Sequence, residues 1–259
     1  MRDGNFLMEA DPFRVFLEMQ VKLTRNAPGS DAMTRAMFES LKGLPEEPEI
    51  LAMGCGQGSE VMELLRRSKG RATAVDMLQP FLAKLEVKAE AAGISGERLR
   101  TVCSDFEALD LPEGIFDLLW SEGAIYTLGF EEGLSAWGKY LKPSGLAVVS
   151  DATWLTDTPS VEARLFWEKG YPTMGTLAEN TERAKHAGFE LLGTRVLPEE
   201  DWWTEYYQPL IPLIAEAREA HAGDAGVTAM LDEEETEIRL YERHASDYGY
   251  VFYVLRKSG

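Results

Sequence analysis

The sequence predicts an α/β fold, in which a mostly parallel sheet carries helices on both faces. Short strand-like runs that end in turn residues alternate with helix-like stretches through the middle of the chain. The predicted strands are Glu49–Met53, Arg71–Asp76, Arg98–Cys103, Ile115–Ser121, Leu146–Asp151 and Phe189–Leu197. This alternation is typical of parallel sheets with helical crossovers. A loop with three glycines follows the first strand, which is a position that suits a ligand site.

Between the predicted strands, apolar residues recur with helical spacing. Val61, Leu64 and Leu65, for example, share one helix face. Gly93 is expected to end a later helix, and the run KPSG at Lys142–Gly145 is expected to be a turn. The crossovers are therefore predicted to be helices.

Two regions fall outside this alternation. Residues 1–44 have the pattern of two helices separated by the turn-forming run Arg25–Ser30, and residues 199–245 are rich in tryptophan, tyrosine and helix formers. We interpret the chain, 1–259, as a single domain in which these two regions form a helical cap. The final run Tyr250–Leu255 is apolar on both faces, so it is expected to be a central strand.

Composition and charge argue against several classes of function. The chain has 259 residues and a formal net charge of -18, which argues against a nucleic-acid partner. No apolar run reaches the roughly 18 residues of a membrane span, and the acidic N-terminus does not resemble a signal peptide. Cys55 and Cys103 are too few for a disulfide framework, and the three histidines have no metal-ligand spacing. We expect a cytoplasmic protein with no metal, nucleic-acid or membrane partner.

The stretch ILAMGCGQGSE, Ile50–Glu60, places Gly54, Gly56 and Gly58 between a strand and a helix. Glycine lets the chain turn sharply and lets a ligand approach the backbone, while the helix start beyond it offers unpaired N–H groups. Asp76 ends the next strand, where a carboxylate can accept hydrogen bonds from both hydroxyls of a ribose. The loop and the carboxylate together favour a nucleotide-like ligand.

Asp105 and Phe106 follow the third predicted strand. A carboxylate beside an aromatic ring suits adenine, because the oxygen can accept from the exocyclic amine while the ring packs on the purine. Asp76 and Asp105 also have a simpler alternative role as N-caps of the helices that follow them. Since the carboxyl ends of successive parallel strands meet at one edge of a sheet, all these side chains are expected to face one crevice.

Two cofactor classes fit such a crevice. The dinucleotide fingerprint G-x-G-x-x-G needs glycine or alanine at position 59, where Ser59 stands. The spacing G-x-G-x-G instead resembles motif I of the class I S-adenosylmethionine-dependent methyltransferases. The resemblance covers Glu49–Asp151 and includes Asp76, SDFEALDLPEGIFDLLWSEGAIYTLG and LKPSGLAVVSD. The sequence also resembles one branch of this family, the small-molecule methyltransferases of the ubiquinone/menaquinone type, but this resemblance is looser than the one to the family as a whole.

The resemblance implies a Rossmann-like sheet of seven strands, mostly parallel, with an antiparallel last strand between the fifth and the sixth. It also implies S-adenosyl-L-methionine as the cofactor. The residues it assigns to this cofactor are Gly54, Cys55, Gly56 and Gly58 at the methionine part, Asp76 at the ribose, Met77, Asp105 and Phe106 at the adenine, and Ser121, Glu122 and Gly123 beneath the sulfonium.

One position departs from the family pattern. The residue two before the first glycine is usually acidic and helps to hold the methionyl end, but here it is Ala52. Glu49 lies on the opposite face of the strand and cannot replace it. The ammonium group would then be held by backbone carbonyls or by Glu122. Arg25 is our candidate partner of the methionyl carboxylate, with an ordinary surface arginine as the alternative.

Methyl transfer from a sulfonium needs alignment and exclusion of water more than it needs a base. Glu122 is the first candidate for a base, with pure cofactor positioning as the alternative, and Tyr126 could face the acceptor. We predict methylation of a small-molecule acceptor beneath the cap. A nicotinamide-dependent oxidoreductase and a non-catalytic binding protein remain alternatives. The cap aromatics could instead be core residues or form a homodimer contact.

Overall fold

The computed structural model describes residues 11–258, which form a seven-stranded sheet with helices on both faces. The strands are β1 Glu49–Met53, β2 Arg71–Asp76, β3 Leu99–Cys103, β4 Phe116–Glu122, β5 Leu141–Trp154, β6 Phe189–Val196 and β7 Tyr248–Lys257. The helices are α1 Pro12–Gln20, α2 Asp31–Ser40, α3 Ser59–Arg67, α4 Gln79–Ala91, α5 Phe130–Gly138, α6 Val161–Gly170, α7 Leu177–His186, α8 Glu199–Trp202, α9 Gln208–Ala220 and α10 Ala225–His244. A 3-10 turn spans Ile125–Thr127, and a π-helical stretch, Trp203–Tyr207, joins α8 to α9.

The strand order in the sheet is β3-β2-β1-β4-β5-β7-β6. Strand β7 runs antiparallel to both of its neighbours, while the pairs formed by β1 to β5 are parallel. The predicted Rossmann-like α/β fold is therefore confirmed, including the place of the last strand between the fifth and the sixth.

The sheet separates two apolar layers. Trp120 of β4 and Phe252 of β7 belong to one layer, whereas Leu119 and Tyr253 belong to the other. All four side chains are fully buried. Because neighbouring residues on a strand face opposite sides, both strands are covered on both faces. This confirms the prediction that the C-terminal run is a central strand.

Strand β5 is longer than the sequence indicates. The predicted turn at Lys142–Gly145 lies inside this strand, which corrects that prediction. The physical reason is an irregularity in the strand rather than a chain reversal. Ser144 has a positive φ of 61°, and the register with β4 shifts between Phe116 and Leu118. Such a bulge accommodates turn-forming residues without ending the pairing.

The two regions predicted to form the cap are helical, as α1 and α2 and as α8 to α10; residues 1–10 of the first region lie outside the described residues. Side chains join the two regions. Ser30 Oγ donates to Asp201 Oδ2 at 2.7 Å, and Lys22 Nζ lies 3.1 Å from Glu216 Oε2. No helix within residues 11–258 is both long and apolar enough to cross a membrane.

Candidate ligand-binding site

A pocket of about 250 Å³ lies at the carboxyl ends of β1, β2 and β4. Its walls come from the glycine loop after β1, from the chain after β2 and β4, and from the segment between α1 and α2. The predicted site residues that line it are Arg25, Gly54, Cys55, Gly56, Gly58, Asp76, Met77, Phe106, Glu122, Gly123 and Tyr126. The structure thus brings together most of the residues that the sequence singled out.

Two predicted site residues do not line this pocket. Asp105 is exposed, and its Oδ1 accepts from the backbone N–H of Glu107 at 2.9 Å, which is a local turn. Ser121 is buried, and by strand alternation its side chain shares the face of Leu119, opposite to that of Glu122. Neither side chain is brought into the pocket, so the structure gives these two predicted contacts no support.

The glycine loop is held against two neighbouring elements at van der Waals distance. Gly54 has a φ of 64°, and a Cβ added there would lie 2.2 Å from the Cβ of Ala124, beyond β4. Gly58 has a φ of 74°, and its Cβ would lie 2.3 Å from Leu85 of α4. Glycine is therefore needed for the left-handed backbone and for close packing, in addition to any ligand contact.

Asp76 connects the loop after β1 with the start of α4. Its Oδ2 accepts from the backbone N–H of Gly56 at 2.8 Å, and its Oδ1 accepts from that of Leu78 at 2.9 Å. Burial raises the pKa of this carboxyl group, and the backbone donors oppose the shift. Asp76 consequently holds the glycine loop and the turn before α4. It is not the N-cap of the simpler alternative, because that position is Leu78 and has no side-chain cap hydrogen bond. Each carboxylate oxygen still has room for a second donor from a ligand.

The segment between α1 and α2 is fixed to the glycine loop by side chains of that loop. Gln57 is buried, and its Nε2 donates to the carbonyl oxygens of Gln20 at 2.8 Å and Leu23 at 2.9 Å. Ser59 Oγ donates to the carbonyl oxygen of Thr24 at 2.9 Å. These bonds hold the N-terminal region over one side of the pocket.

Arg25 and Glu122 form a buried ion pair at the pocket wall. The distance from Arg25 Nη1 to Glu122 Oε2 is 3.1 Å, and Arg25 Nη2 lies 2.8 Å from Asp31 Oδ1. The other oxygen of Glu122 accepts from Thr34 Oγ1 at 2.7 Å and from Trp120 Nε1 at 2.9 Å. These three donors hold the Glu122 side chain in one place, which favours a positioning role over that of a base.

Glu60 is a pocket residue that the sequence reasoning missed. It lies in the first turn of α3, lines the pocket and is only 8% exposed. Burial, followed by the nearby charge of Glu122, raises the pKa of its carboxyl group to about 8. The sequence signal was weak, because an acidic residue in the first turn of a helix is usually a favourable surface charge.

Tyr126 lines the pocket on the side of β4 and is 44% exposed. Its ring packs edge-on against Tyr171, with 5.8 Å between the ring centroids, and the Tyr171 hydroxyl donates to Asp151 Oδ2 at 2.9 Å. Asp151 Oδ1 has no hydrogen-bond partner among the described residues, and burial raises the pKa of this group to about 7. The ring of Tyr171 thus lies between the buried carboxyl group of Asp151 and the pocket residue Tyr126.

The aromatic residues of the predicted cap divide into two sets. Phe16 lines the pocket. Gln20 also lines it, and its Nε2 donates to the Tyr206 hydroxyl at 3.3 Å. Trp202 is instead fully buried and stacks on Tyr241 with 4.2 Å between the ring centroids. The tryptophan belongs to the core over β7, so only part of the cluster lies near the pocket.

Comparison with known proteins places this site in a family context. Residues 50–145 match the family model described as a methyltransferase domain. This segment contains the glycine loop, Asp76 and the chain after β4. The matched segment therefore holds the pocket walls that the strands provide.

A curated relative is a sterol 24-C-methyltransferase from Gibberella zeae, which is 26% identical over 65% of this chain and 46% of its own length. The match thus covers less than half of that relative. A solved S-adenosylmethionine-dependent methyltransferase from Geobacter sulfurreducens, in complex with S-adenosyl-L-homocysteine, superposes with a TM-score of 0.79. It is 18% identical over 93% of this chain and 97% of its own.

The same fold also occurs in a solved [4+2]-cyclase, with a TM-score of 0.72, 19% identity and coverage of 95% of this chain and 93% of that one. The fold alone therefore does not fix the reaction. The narrower likeness to the ubiquinone/menaquinone branch stays a prediction. Residues 50–145 match a methyltransferase domain, and the chain has the fold of solved S-adenosylmethionine-dependent methyltransferases.

Proposed function

We propose that the protein transfers a methyl group from S-adenosylmethionine to a small-molecule acceptor. The observation that carries this proposal is the convergence of the glycine loop, Asp76 and Glu122 on one pocket inside a methyltransferase domain. The related structure from Geobacter sulfurreducens holds the demethylated product, S-adenosyl-L-homocysteine, which supports the choice of cofactor.

The residues at the pocket fit this cofactor. The close packing of Gly54 and Gly58 fixes the loop whose residues line the pocket. Asp76 would accept from the ribose hydroxyls, and the neighbouring Met77 and Phe106 offer apolar surfaces to the adenine. Bound S-adenosylmethionine supplies an electrophilic methyl group on a sulfonium.

The chain itself contributes alignment and exclusion of water. Arg25 and Glu122 fix the pocket wall beside Gly123, and Gln57 holds the N-terminal segment against the glycine loop. Rigid placement of two reactants is a large source of rate enhancement and requires no covalent chemistry from the protein. Tyr126 is our candidate for the residue that faces the acceptor, because it lines the pocket on the side where Asp151 and Tyr171 are buried.

The proposed acceptor is a small molecule that enters beneath residues 11–44 and 199–245. Phe16 and Tyr126 give the pocket aromatic walls, and the net charge of -18 opposes a polyanion. The sterol substrate in the name of the curated relative is consistent with an apolar acceptor. Cytoplasmic location and homodimer formation remain predictions.

Label transfer tests this function directly. The purified protein is incubated with S-adenosylmethionine carrying a labelled methyl group and with a small-molecule extract, and labelled products are identified by mass spectrometry. We expect one labelled small molecule and an equal amount of S-adenosylhomocysteine. Binding of the cofactor without label transfer to any fraction would favour the non-catalytic alternative.

A further inference from the structure

The pocket lacks an acidic group at the end of β1. Ala52 is 1% exposed and pairs with Ala74 of β2 and Trp120 of β4, so its methyl group offers nothing to a positive ligand group. The cofactor of the proposed function nevertheless carries an ammonium group on its methionyl tail. A buried ammonium without a partner is costly, so another group in the pocket has to receive it.

Glu60 is the carboxylate in this pocket that lacks a partner. It is more than nine-tenths buried, and within residues 11–258 its side chain forms no ion pair and no hydrogen bond to the side chain of another residue. The two other carboxylates of the pocket differ in this respect. Asp76 is held by two backbone donors, and Glu122 is held by three side-chain donors.

The positive charges around Glu60 are already engaged elsewhere. Arg25 and Lys88 act electrostatically on it. Arg25 uses its two terminal nitrogens for Glu122 and Asp31, and Lys88 Nζ donates to the carbonyl oxygen of Gln57 at 3.0 Å. The carboxylate of Glu60 is therefore left available to a cationic donor that enters the pocket.

Resting on the proposed function, we propose that Glu60 receives the ammonium group of the methionyl tail, in place of the acid that Ala52 does not provide. Glu60, in the first turn of α3, then has the role that an acidic residue of β1 usually has in the family. An alternative is that Glu60 only complements the N-terminal dipole of α3. That role would affect stability, but it would not distinguish between ligands with and without an ammonium group.

Two ligands that differ only in the amino-acid tail separate these roles. S-adenosylhomocysteine carries the ammonium, whereas 5′-methylthioadenosine has the adenine, ribose and thioether without the tail. By calorimetry, we expect Glu60→Gln to weaken binding of S-adenosylhomocysteine by about 10- to 150-fold, the range for a hydrogen bond to a charged group. Binding of 5′-methylthioadenosine should be unchanged.

Glu63→Gln is the matched control. Glu63 lies one turn further along α3 and is also buried, but it pairs with Arg35 and Arg67 and does not line the pocket. This variant should bind both ligands as the wild type does. Equal weakening of both ligands in Glu60→Gln, or no weakening of either, would overturn the proposal.

A measurement on the unaltered chain does not depend on how the variants fold. The deaminated analogue of S-adenosylhomocysteine keeps the carboxylate and loses the ammonium, so it should bind the wild type about 10- to 150-fold more weakly. Equal affinity for both compounds would contradict the role of Glu60. Failure of the wild type to bind S-adenosylhomocysteine at all would instead contradict the proposed function, so the two failures are distinct.

Discussion

Arg25 and Glu122 face each other across the pocket wall with 3.1 Å between Nη1 and Oε2, and both side chains are at most 6% exposed. The pair joins the segment between α1 and α2 to the carboxyl end of β4. Removing one partner of a buried pair leaves an uncompensated charge, whereas replacing both partners avoids it. The pair therefore couples the N-terminal region to the sheet edge that forms the pocket.

Arg25→Met should lower the free energy of unfolding by about 3–5 kcal/mol, measured by urea denaturation. The double variant Arg25→Met, Glu122→Gln should recover part of that loss. Arg14→Met, which removes an exposed arginine that pairs with Glu18, should leave stability nearly unchanged. Similar losses in the two arginine variants would contradict the structural role of the buried pair.

Asp76→Ala should weaken binding of S-adenosylhomocysteine by about 10- to 150-fold and also lower stability. The second effect is expected because the backbone N–H groups of Gly56 and Leu78 lose their acceptor. Calorimetry and thermal unfolding on the same samples measure both effects. If stability falls while affinity stays unchanged, Asp76 serves only to hold the glycine loop and the turn before α4.

Stability without ligand should fall as the pH rises from about 5 to 8.5. Burial raises the pKa values of Glu60 to about 8 and of Asp151 and Glu234 to about 7, above their values in an unfolded chain. A carboxyl group whose pKa is raised by folding contributes stability at pH values below its pKa in the unfolded chain. This contribution is lost as the pH rises through the pKa of the group in the folded protein. Urea denaturation across this range measures the effect, and a stability that rises with pH would contradict it.

Glu60→Gln should flatten part of that pH dependence, because the amide does not ionise. The charged groups that act on Glu60 are Glu122, Asp76, Arg25 and Lys88. The first two disfavour its ionisation and the last two favour it. At pH 8.5 the variant should be more stable than the wild type without ligand. An equal or lower stability at that pH would show that Glu60 is not held in a buried site.

The aromatic residues of the helical regions should separate into two classes by mutation. Trp202→Ala should lower the free energy of unfolding by about 3–5 kcal/mol, since it empties a fully buried site beside Tyr241. Phe16→Ala removes a pocket wall and should impair turnover of the acceptor with a smaller loss of stability. A Phe16→Ala variant with normal turnover would contradict the acceptor position beneath the cap.

The sequence predicts the sheet well where local pattern decides the structure. The bounds of β1 and β2 agree with the prediction, because each strand is a short apolar run that ends at a turn or a helix start. Strand β5 continues past its predicted end at Asp151 because it pairs with β7 as far as Trp154, and that partner lies about 100 residues further along the chain. Long-range pairing of this kind leaves no local signal.

In the candidate site, too, the residues set by local sequence pattern could be predicted, and those set by long-range contacts could not. The glycine loop and Asp76 could be identified because their spacing along the chain reflects the strand ends on which they lie. Glu60 could not, since its place in one pocket with Arg25 and Glu122 brings together segments that are far apart in the chain. Asp105 was selected for its position after β3, but its side chain forms a local turn and stays exposed. Motif position therefore predicts where a residue lies more reliably than where its side chain points.

Calorimetry of the wild-type protein with S-adenosylhomocysteine and, separately, with NAD tests which class of cofactor the pocket binds. The pocket formed by the glycine loop and Asp76 has the spacing of a methyltransferase site and carries Ser59 where a dinucleotide site needs glycine or alanine. We expect saturable binding of S-adenosylhomocysteine and no binding of NAD. Saturable binding of NAD with no response to S-adenosylhomocysteine would contradict it.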